Sequence, residues 1–216
     1  MGVLRLLLAD DHTLVRHGLR RVLESNSNWQ VVGEASDGRE AVRLAEEHKP
    51  DVAIIDVAMP LLNGIDATQQ ILRRVPETRV LMLSMHAEEA YVRRALQAGA
   101  TGYMVKDAAG KELLKAIEVV AAGQRYFSPA IERLVQDESA PRTTTAGFAD
   151  RYETLSARER EIFQLIAEAK SNKEVAALLD ISPATVETHR ARILQKLDVH
   201  NIAEVVLYAV RRGIVS

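Results

Sequence analysis

The feature that most constrains this chain is a regular alternation, kept up over residues 1–122, of short apolar runs with longer amphipathic segments. Such alternation is the pattern of βα units wound around a parallel sheet. Five strands are expected, at 4–9, 30–35, 52–56, 79–84 and 102–105, and their near-continuous Leu, Val and Ile suit strands that helices cover on both faces. Between them apolar residues recur with helical spacing, as in Leu14, Leu19, Val22 and Leu23, in Ile65, Ile71 and Leu72, and in Leu113, Leu114, Ile117 and Val120. The expected architecture is a doubly wound α/β domain with five parallel strands, in which ligands bind in the crevice beyond the carboxyl ends of the strands.

That pattern stops well before the end of the chain. At 216 residues there is material for one medium and one small core. A stretch rich in polar and turn residues at 137–153 reads as a linker. Everything after it has helical punctuation. Ser156 with Glu159 and Ser171 with Glu174 form capping boxes, Ser182 precedes Pro183 at a helix start, and a fourth helix over 202–212 is closed by Gly213. The expected division is 1–122 for the α/β domain, 123–153 for a connecting segment and flexible linker, and 154–216 for a small all-α domain of four helices.

Composition narrows the chemistry. Without cysteine there is no disulfide framework, thiolate metal site or Cys nucleophile, and a cytoplasmic location is expected. Residues 3–9 are interrupted by Arg5 and run into Asp10 and Asp11, which suits a buried strand rather than a signal peptide or membrane span. Gly2 does not read as a myristoylation site, because Leu6 stands where Ser or Thr is required. The six histidines lack metal-ligand spacing, and no glycine pattern matches a dinucleotide or P-loop fingerprint. With a formal charge of −2, any nucleic-acid contact must be local. From Arg151 on, ten Lys and Arg face nine Asp and Glu, a weak bias in the right direction.

Three carboxylates fall at strand ends: Asp10 and Asp11 after the first strand, and Asp56 closing the third. Carboxylates gathered in one crevice suit a hard divalent cation such as Mg²⁺, which also bridges phosphoryl oxygens. Ser84 ends the fourth strand and Lys106 follows the fifth, adding a hydroxyl and an ammonium to the same rim. Taken singly, each residue has an ordinary reading as a helix cap, a local hydrogen bonder or a solvated charge. Taken together they supply what a transferring phosphoryl group needs: a nucleophile, a metal site and donors.

This ordered set, Asp10-Asp11, Asp56 through Pro60 with Gly64, Ser84, Tyr103 and Lys106, resembles the receiver domain of two-component response regulators. The resemblance implies a flavodoxin-like fold with Asp56 as phospho-acceptor and Mg²⁺ bound by Asp10, Asp11, Asp56 and the Ala58 carbonyl. It makes Ser84 the switch hydroxyl, Tyr103 the switch aromatic and Lys106 the phosphoryl partner. A sensor histidine kinase is the implied phosphoryl source.

Residues 155–215 resemble the LuxR-type helix-turn-helix domain through Leu-Ser-Ala-Arg-Glu-Arg-Glu, Ser-Asn-Lys-Glu-Val-Ala, Ile-Ser-Pro-Ala-Thr-Val-Glu-Thr-His-Arg and Lys-Leu-Asp-Val. The whole chain is similar to the NarL/FixJ family. The resemblance implies a first motif helix at 172–179, a recognition helix at about 183–197, and regulation of transcription by a homodimer that forms on phosphorylation and binds double-stranded DNA. Helical spacing agrees: Val186, Ile193 and Leu197 share one apolar face, while Ala184, Thr188, Ala191, Arg192 and Gln195 point away from it. Lys173, Glu187, Thr188, Arg190, Ala191, Arg192 and Lys196 are the candidate DNA-facing residues. Two positions depart from the common pattern, Ala169 where glycine is usual and Glu187 where lysine is usual. An aspartate-nucleophile phosphatase of the haloacid-dehalogenase type would need a second Asp where Ala58 stands, and an interaction module working without phosphorylation would not need the acidic pocket. No membrane association and no enzymatic turnover are expected.

Overall fold

The computed structural model describes residues 2–85, 87–136 and 151–215, which form two compact units, one α/β and one helical. In the first, β1 (Leu4–Ala9), β2 (Trp29–Ala35), β3 (Val52–Asp56), β4 (Arg79–Ser84) and β5 (Gly102–Val105) alternate with α1 (Thr13–Leu23), α2 (Gly38–His48), α3 (Gly64–Arg74), α4 (Glu89–Gln97) and α5 (Ala109–Ala121). The five strands expected from the sequence are present, with β2 beginning one residue earlier, at Trp29. The sheet has a sixth, β6 (Tyr126–Phe127), added parallel to β5 and followed by α6 (Pro129–Gln136). This corrects the expectation of a five-stranded sheet. A strand of two residues is too short to show a period of two, so only its partner reveals it. Connecting sequence from 123 therefore carries regular structure as far as Gln136, while the polar linker lies outside the described residues up to 150.

All strand pairs are parallel and the order is β2-β1-β3-β4-β5-β6, so the direction of winding reverses between β1 and β3. The pleat sends Leu6, Leu8, Val52, Ile54, Leu81, Leu83 and Met104 to the face covered by α1 and α5, where Leu19, Leu23, Leu113, Ile117 and Val120 complete a core. Alternate residues, among them Leu7, Ala53, Ile55, Val80, Met82 and Tyr103, are buried on the opposite face. Val52, Ala53, Ile54 and Ile55 are all fully buried, which is why β3 reads as an unbroken apolar run.

The helical unit starts with a short 3-10 turn, Arg151–Thr154, followed by α7 (Ala157–Ala167), α8 (Asn172–Leu179), α9 (Pro183–Leu197) and α10 (Ile202–Arg211). Both capping boxes form at α7 and α8, and Ser182 accepts from the Thr185 N–H ahead of Pro183. Ala169 sits in the left-handed region at φ 60°, which explains why glycine is the easier residue there. Phe163 lies edge-on to Tyr152 and Tyr208, with centroids 5.5 and 5.9 Å away, at the middle of a core completed by Ile162, Ile166, Val175, Val186, Ile193 and Leu197. Each such aromatic pair adds about 0.5–1.5 kcal/mol beyond the area it buries.

Candidate functional site

The crevice at the reversal between β1 and β3 is where a doubly wound sheet binds ligands, and the acidic residues are there. Ala9 pairs in register with Ile55, so the next residues along, Asp10 and Asp56, leave neighbouring strands side by side. Asp10 is fully buried and Asp56 is 3% exposed, whereas Asp11 stands at the rim. Lys106, in the turn after β5, places Nζ 2.7 Å from Asp56 Oδ2 and 2.9 Å from Asp10 Oδ2. His12 Nδ1 is 2.7 Å from Asp11 Oδ1, and its backbone N–H donates to Asp10 Oδ1 at 2.9 Å. One ligand atom from each of Asp10, Asp11, His12 and Asp56 lies within 4.8 Å of the others.

Burial pushes the Asp56 carboxyl up to about 6 against the pull of the Lys106 ammonium, and the Asp10 and Asp11 carboxylates push in the same direction as burial. For Lys106 burial works to lower the ammonium, but Asp56 and Asp10 outweigh it and raise it above its ordinary value. Asp10 Oδ2 is buried 2.9 Å from the Lys106 ammonium, and a carboxylate oxygen paired with one ammonium retains a lone pair for another cation. Three hard oxygen donors with one such underused atom fit a divalent ion of the Mg²⁺ type. Ala58, the fourth residue assigned to the metal, lies half-buried in the β3–α3 connection two residues beyond Asp56.

Close approach of α3 shapes the same wall. A Cβ on Gly64 would fall 1.8 Å from the Asp56 carbonyl oxygen, so only glycine lets α3 start against the end of β3. Ser84 and Tyr103 are buried, and their side chains share a hydrogen bond. Burial raises the Tyr103 phenol to about 12, with the Ser84 bond acting against it. The structure thus brings Asp10, Asp11, Asp56 and Lys106 together and joins Ser84 to Tyr103. His86, two residues beyond Ser84 in the sequence, lies outside the described residues. Sequence reasoning missed His12 and Arg16, whose Nη1 donates to the Asp10 carbonyl at 2.6 Å. The signal was present: His12 abuts the acidic pair, and Arg16 lies one helical turn further on.

In the helical unit Val186, Ile193 and Leu197 are buried, and Ala184, Thr188, Ala191, Arg192 and Gln195 are exposed, as the periodicity of α9 required. Lys173, Arg190 and Arg192 have no side-chain partner among the described residues. Thr188 Oγ1 donates to the Ala184 carbonyl within α9, and two other candidates reach beyond that helix. Lys196 Nζ reaches Glu159 Oε2 at 2.6 Å and the Thr154 carbonyl at 3.2 Å, and Glu187 accepts a hydrogen bond from the Asn172 amide at the start of α8. Burial raises the Glu159 carboxyl, but the hydrogen bonds from Lys196 and Ser156 outweigh it and hold it below the usual carboxylate range.

Residues 6–118 match the response regulator receiver domain, and residues 153–209 match the bacterial regulatory proteins of the luxR family. The chain belongs to the NarL/FixJ family of response regulators. This response regulator is 40% identical over 215 residues to the response regulator GacA of Pseudomonas viridiflava, covering 99% of each chain. It is 37% identical over 213 residues to the response regulator UvrY of Escherichia coli strain K12, covering 98% of this chain and 96% of that one. Among solved structures it is similar to a two-component response regulator of the LuxR family from Aurantimonas sp. SI85-9A1, with 39% identity and a TM-score of 0.61 over 63% of this chain and 98% of that one. It is also similar to the response regulator RcsB in complex with DNA, with 26% identity and a TM-score of 0.59 over 97% of this chain and 98% of that one.

Proposed function

We propose that phosphorylation of Asp56 by a sensor histidine kinase switches this response regulator, which then binds double-stranded DNA as a homodimer and regulates transcription. The observation that carries this reading is the burial of Asp56 with Asp10 and Lys106 at the point where the sheet reverses, in a chain that also carries a helix-turn-helix unit. A carboxylate oxygen of Asp56 attacks the phosphorus of a phosphohistidine. The phosphorus–nitrogen bond breaks, imidazole leaves, and an acyl phosphate remains on Asp56. Asp10, Asp11, Asp56 and the Ala58 carbonyl would hold Mg²⁺, whose charge offsets that of the carboxylates and phosphoryl oxygens when bound. Lys106, already within 2.7 Å of Asp56, pairs with the incoming charge. Ser84, joined to Tyr103 by a hydrogen bond at the end of β4, supplies a hydroxyl for a phosphoryl oxygen.

On the DNA side α9 enters the major groove, with Thr188, Ala191 and Arg192 on its outward face and Lys173 and Arg190 beside it. Lys196 and Glu187, held by Glu159 and Asn172, border that surface. The same reading divides the chain into receiver (1–122), connecting segment (123–153) and DNA-binding domain (154–216). It makes the protein a regulator rather than an enzyme, since Ala58 supplies no second carboxylate for turnover. A cytoplasmic location fits, and no described helix is long and apolar enough to cross a membrane. Small phosphodonors with Mg²⁺ should label the wild type and leave Asp56→Asn unlabelled, while beryllofluoride should raise both sedimenting mass and DNA affinity. Equal labelling of the two proteins, or a wild type whose mass and DNA affinity ignore beryllofluoride, would overturn the proposal.

A further inference from the structure

The outer edge of β5 ends in a connection that phosphoryl transfer does not require. β6 pairs with β5 through Gly102 opposite Tyr126 and Tyr103 opposite Phe127. Ser128 follows, buried at 1% exposure, and its N–H donates to the Tyr103 carbonyl at 3.2 Å. In a parallel ladder the next bond would run from the Val105 N–H to the Ser128 carbonyl. That carbonyl is already taken: it accepts from the N–H groups of Ile131 at 2.7 Å and Glu132 at 3.0 Å, the first hydrogen bonds of α6. The Ser128 hydroxyl replaces it and accepts from the Val105 N–H at 3.4 Å. Ser128 is therefore both the last rung of the sheet and the first acceptor of α6, a helix that packs against β5 and α4 and whose Ile131 is fully buried.

The residues that Ser128 grips are those that border the pocket. Tyr103 is bonded through its phenol to Ser84, Val105 pairs with Ser84 in register, and Lys106, one peptide beyond Val105, reaches Asp56 and Asp10. We propose that Ser128 is a positioning residue that passes the state of the pocket from β5 to α6, the helix from which the chain runs on toward the DNA-binding domain. This rests on Asp56 being the phospho-acceptor. A phosphoryl group brings a charge of about −1.5 to −2, which draws on Lys106 and Ser84 and so on the end of β5. Because the Val105 N–H and Tyr103 carbonyl are both fastened to Ser128, the start of α6 must follow. Without the hydroxyl Val105 loses its acceptor, and the end of β5 beyond Tyr103, with Lys106, can shift while α6 stays.

The test uses the full-length protein and Ser128→Ala, which keeps the backbone bond to Tyr103 and removes the hydroxyl, with Ser128→Thr as the conservative rescue. Ser128→Ala should take label on Asp56 from a small phosphodonor as the wild type does. Its gain in DNA affinity on adding beryllofluoride and Mg²⁺ should be smaller by roughly tenfold, the scale of a moderate coupling between sites, and Ser128→Thr should restore the gain. Amide exchange at Val105 and over Ser128–Glu132 in the wild type gives a second readout and should change on adding beryllofluoride. A Ser128→Ala protein that gains as much as the wild type, or exchange at these amides that ignores beryllofluoride while DNA binding responds, overturns the inference alone. A wild type unresponsive in both DNA binding and exchange overturns the reading of the pocket and this inference with it.

Discussion

At the ends of β1, β3 and β5 the pocket side chains meet one another within the fold: Lys106 lies 2.7 and 2.9 Å from Asp56 and Asp10, and His12 Nδ1 lies 2.7 Å from Asp11. Along the outer side of α9, Arg190 and Arg192 have no such partner among the described residues. The pocket is a set of groups whose positions depend on one another, so removing one changes the energy of the rest. The recognition helix presents groups on which the fold does not rely, so removing one should cost binding and leave stability nearly untouched. The difference teaches where function and stability are coupled in this molecule.

The sharpest way to break that contrast is Lys106→Met, which leaves two buried carboxylates facing one another. Unfolding of the α/β unit, followed by the fluorescence of Trp29, the single tryptophan, should lose about 3 kcal/mol of stability, typical for stripping one partner from a buried ion pair. No loss would mean that the pocket charges are as independent as those of α9. Next is Gly64→Ala. Its new Cβ must move away from the Asp56 carbonyl oxygen, and the same fluorescence measurement should show a loss of roughly 2 kcal/mol, the range of overpacking, with weaker labelling of Asp56.

On the DNA side, Arg192→Ala should weaken binding by about 1–3 kcal/mol if the guanidinium reads a base, or flatten the salt dependence by about one contact if it meets a phosphate. Its thermal midpoint should match the wild type, and a midpoint that fell with the affinity would erase the distinction between the two regions. Lys196→Met tests the one cation of α9 that has a partner among the described residues. Glu159 is held below its ordinary value of 4.5, so its contribution to the helical unit is present above that pH and is lost as the pH falls through the lower folded value. Acid unfolding followed by circular dichroism should begin at higher pH in Lys196→Met, with a stability loss near neutrality of about 1 kcal/mol, because the ammonium is partly exposed. The smallest effect is expected for Glu187→Ala. With its carboxylate bonded to Asn172, the change in DNA affinity should stay within about twofold, or ~0.4 kcal/mol.

The strands and helices were largely legible in the sequence because each is governed by a short-range rule. Val52–Asp56 is an apolar run that only a strand covered on both faces can carry, and Pro183–Leu197 has a cap, a proline at its first position and one apolar face. The strand-end carboxylates were legible for the same reason: once the strands are placed, Asp10 and Asp56 can only point into the crevice. β6 was not legible, since two residues have no period and its existence depends on the free edge of β5. The spending of Lys196 on Glu159, 37 residues away, was not legible either, because nothing near Lys196 distinguishes it from Arg192.

By itself, then, the sequence determined which segments are strands and helices, which faces they bury, and which residue types stand at the crevice and on α9. It could do so because backbone propensity and hydrophobic period act over a few residues at a time. Only the tertiary structure decided the partners: Lys106 bridging Asp10 and Asp56, Ser84 joined to Tyr103, Glu187 taken up by Asn172, and Ser128 serving sheet and helix together. These pairings are between side chains or edges that the chain brings within about 3 Å only after the sheet and the helical core have closed, and at that distance hydrogen-bond geometry, which no local pattern encodes, selects which groups meet.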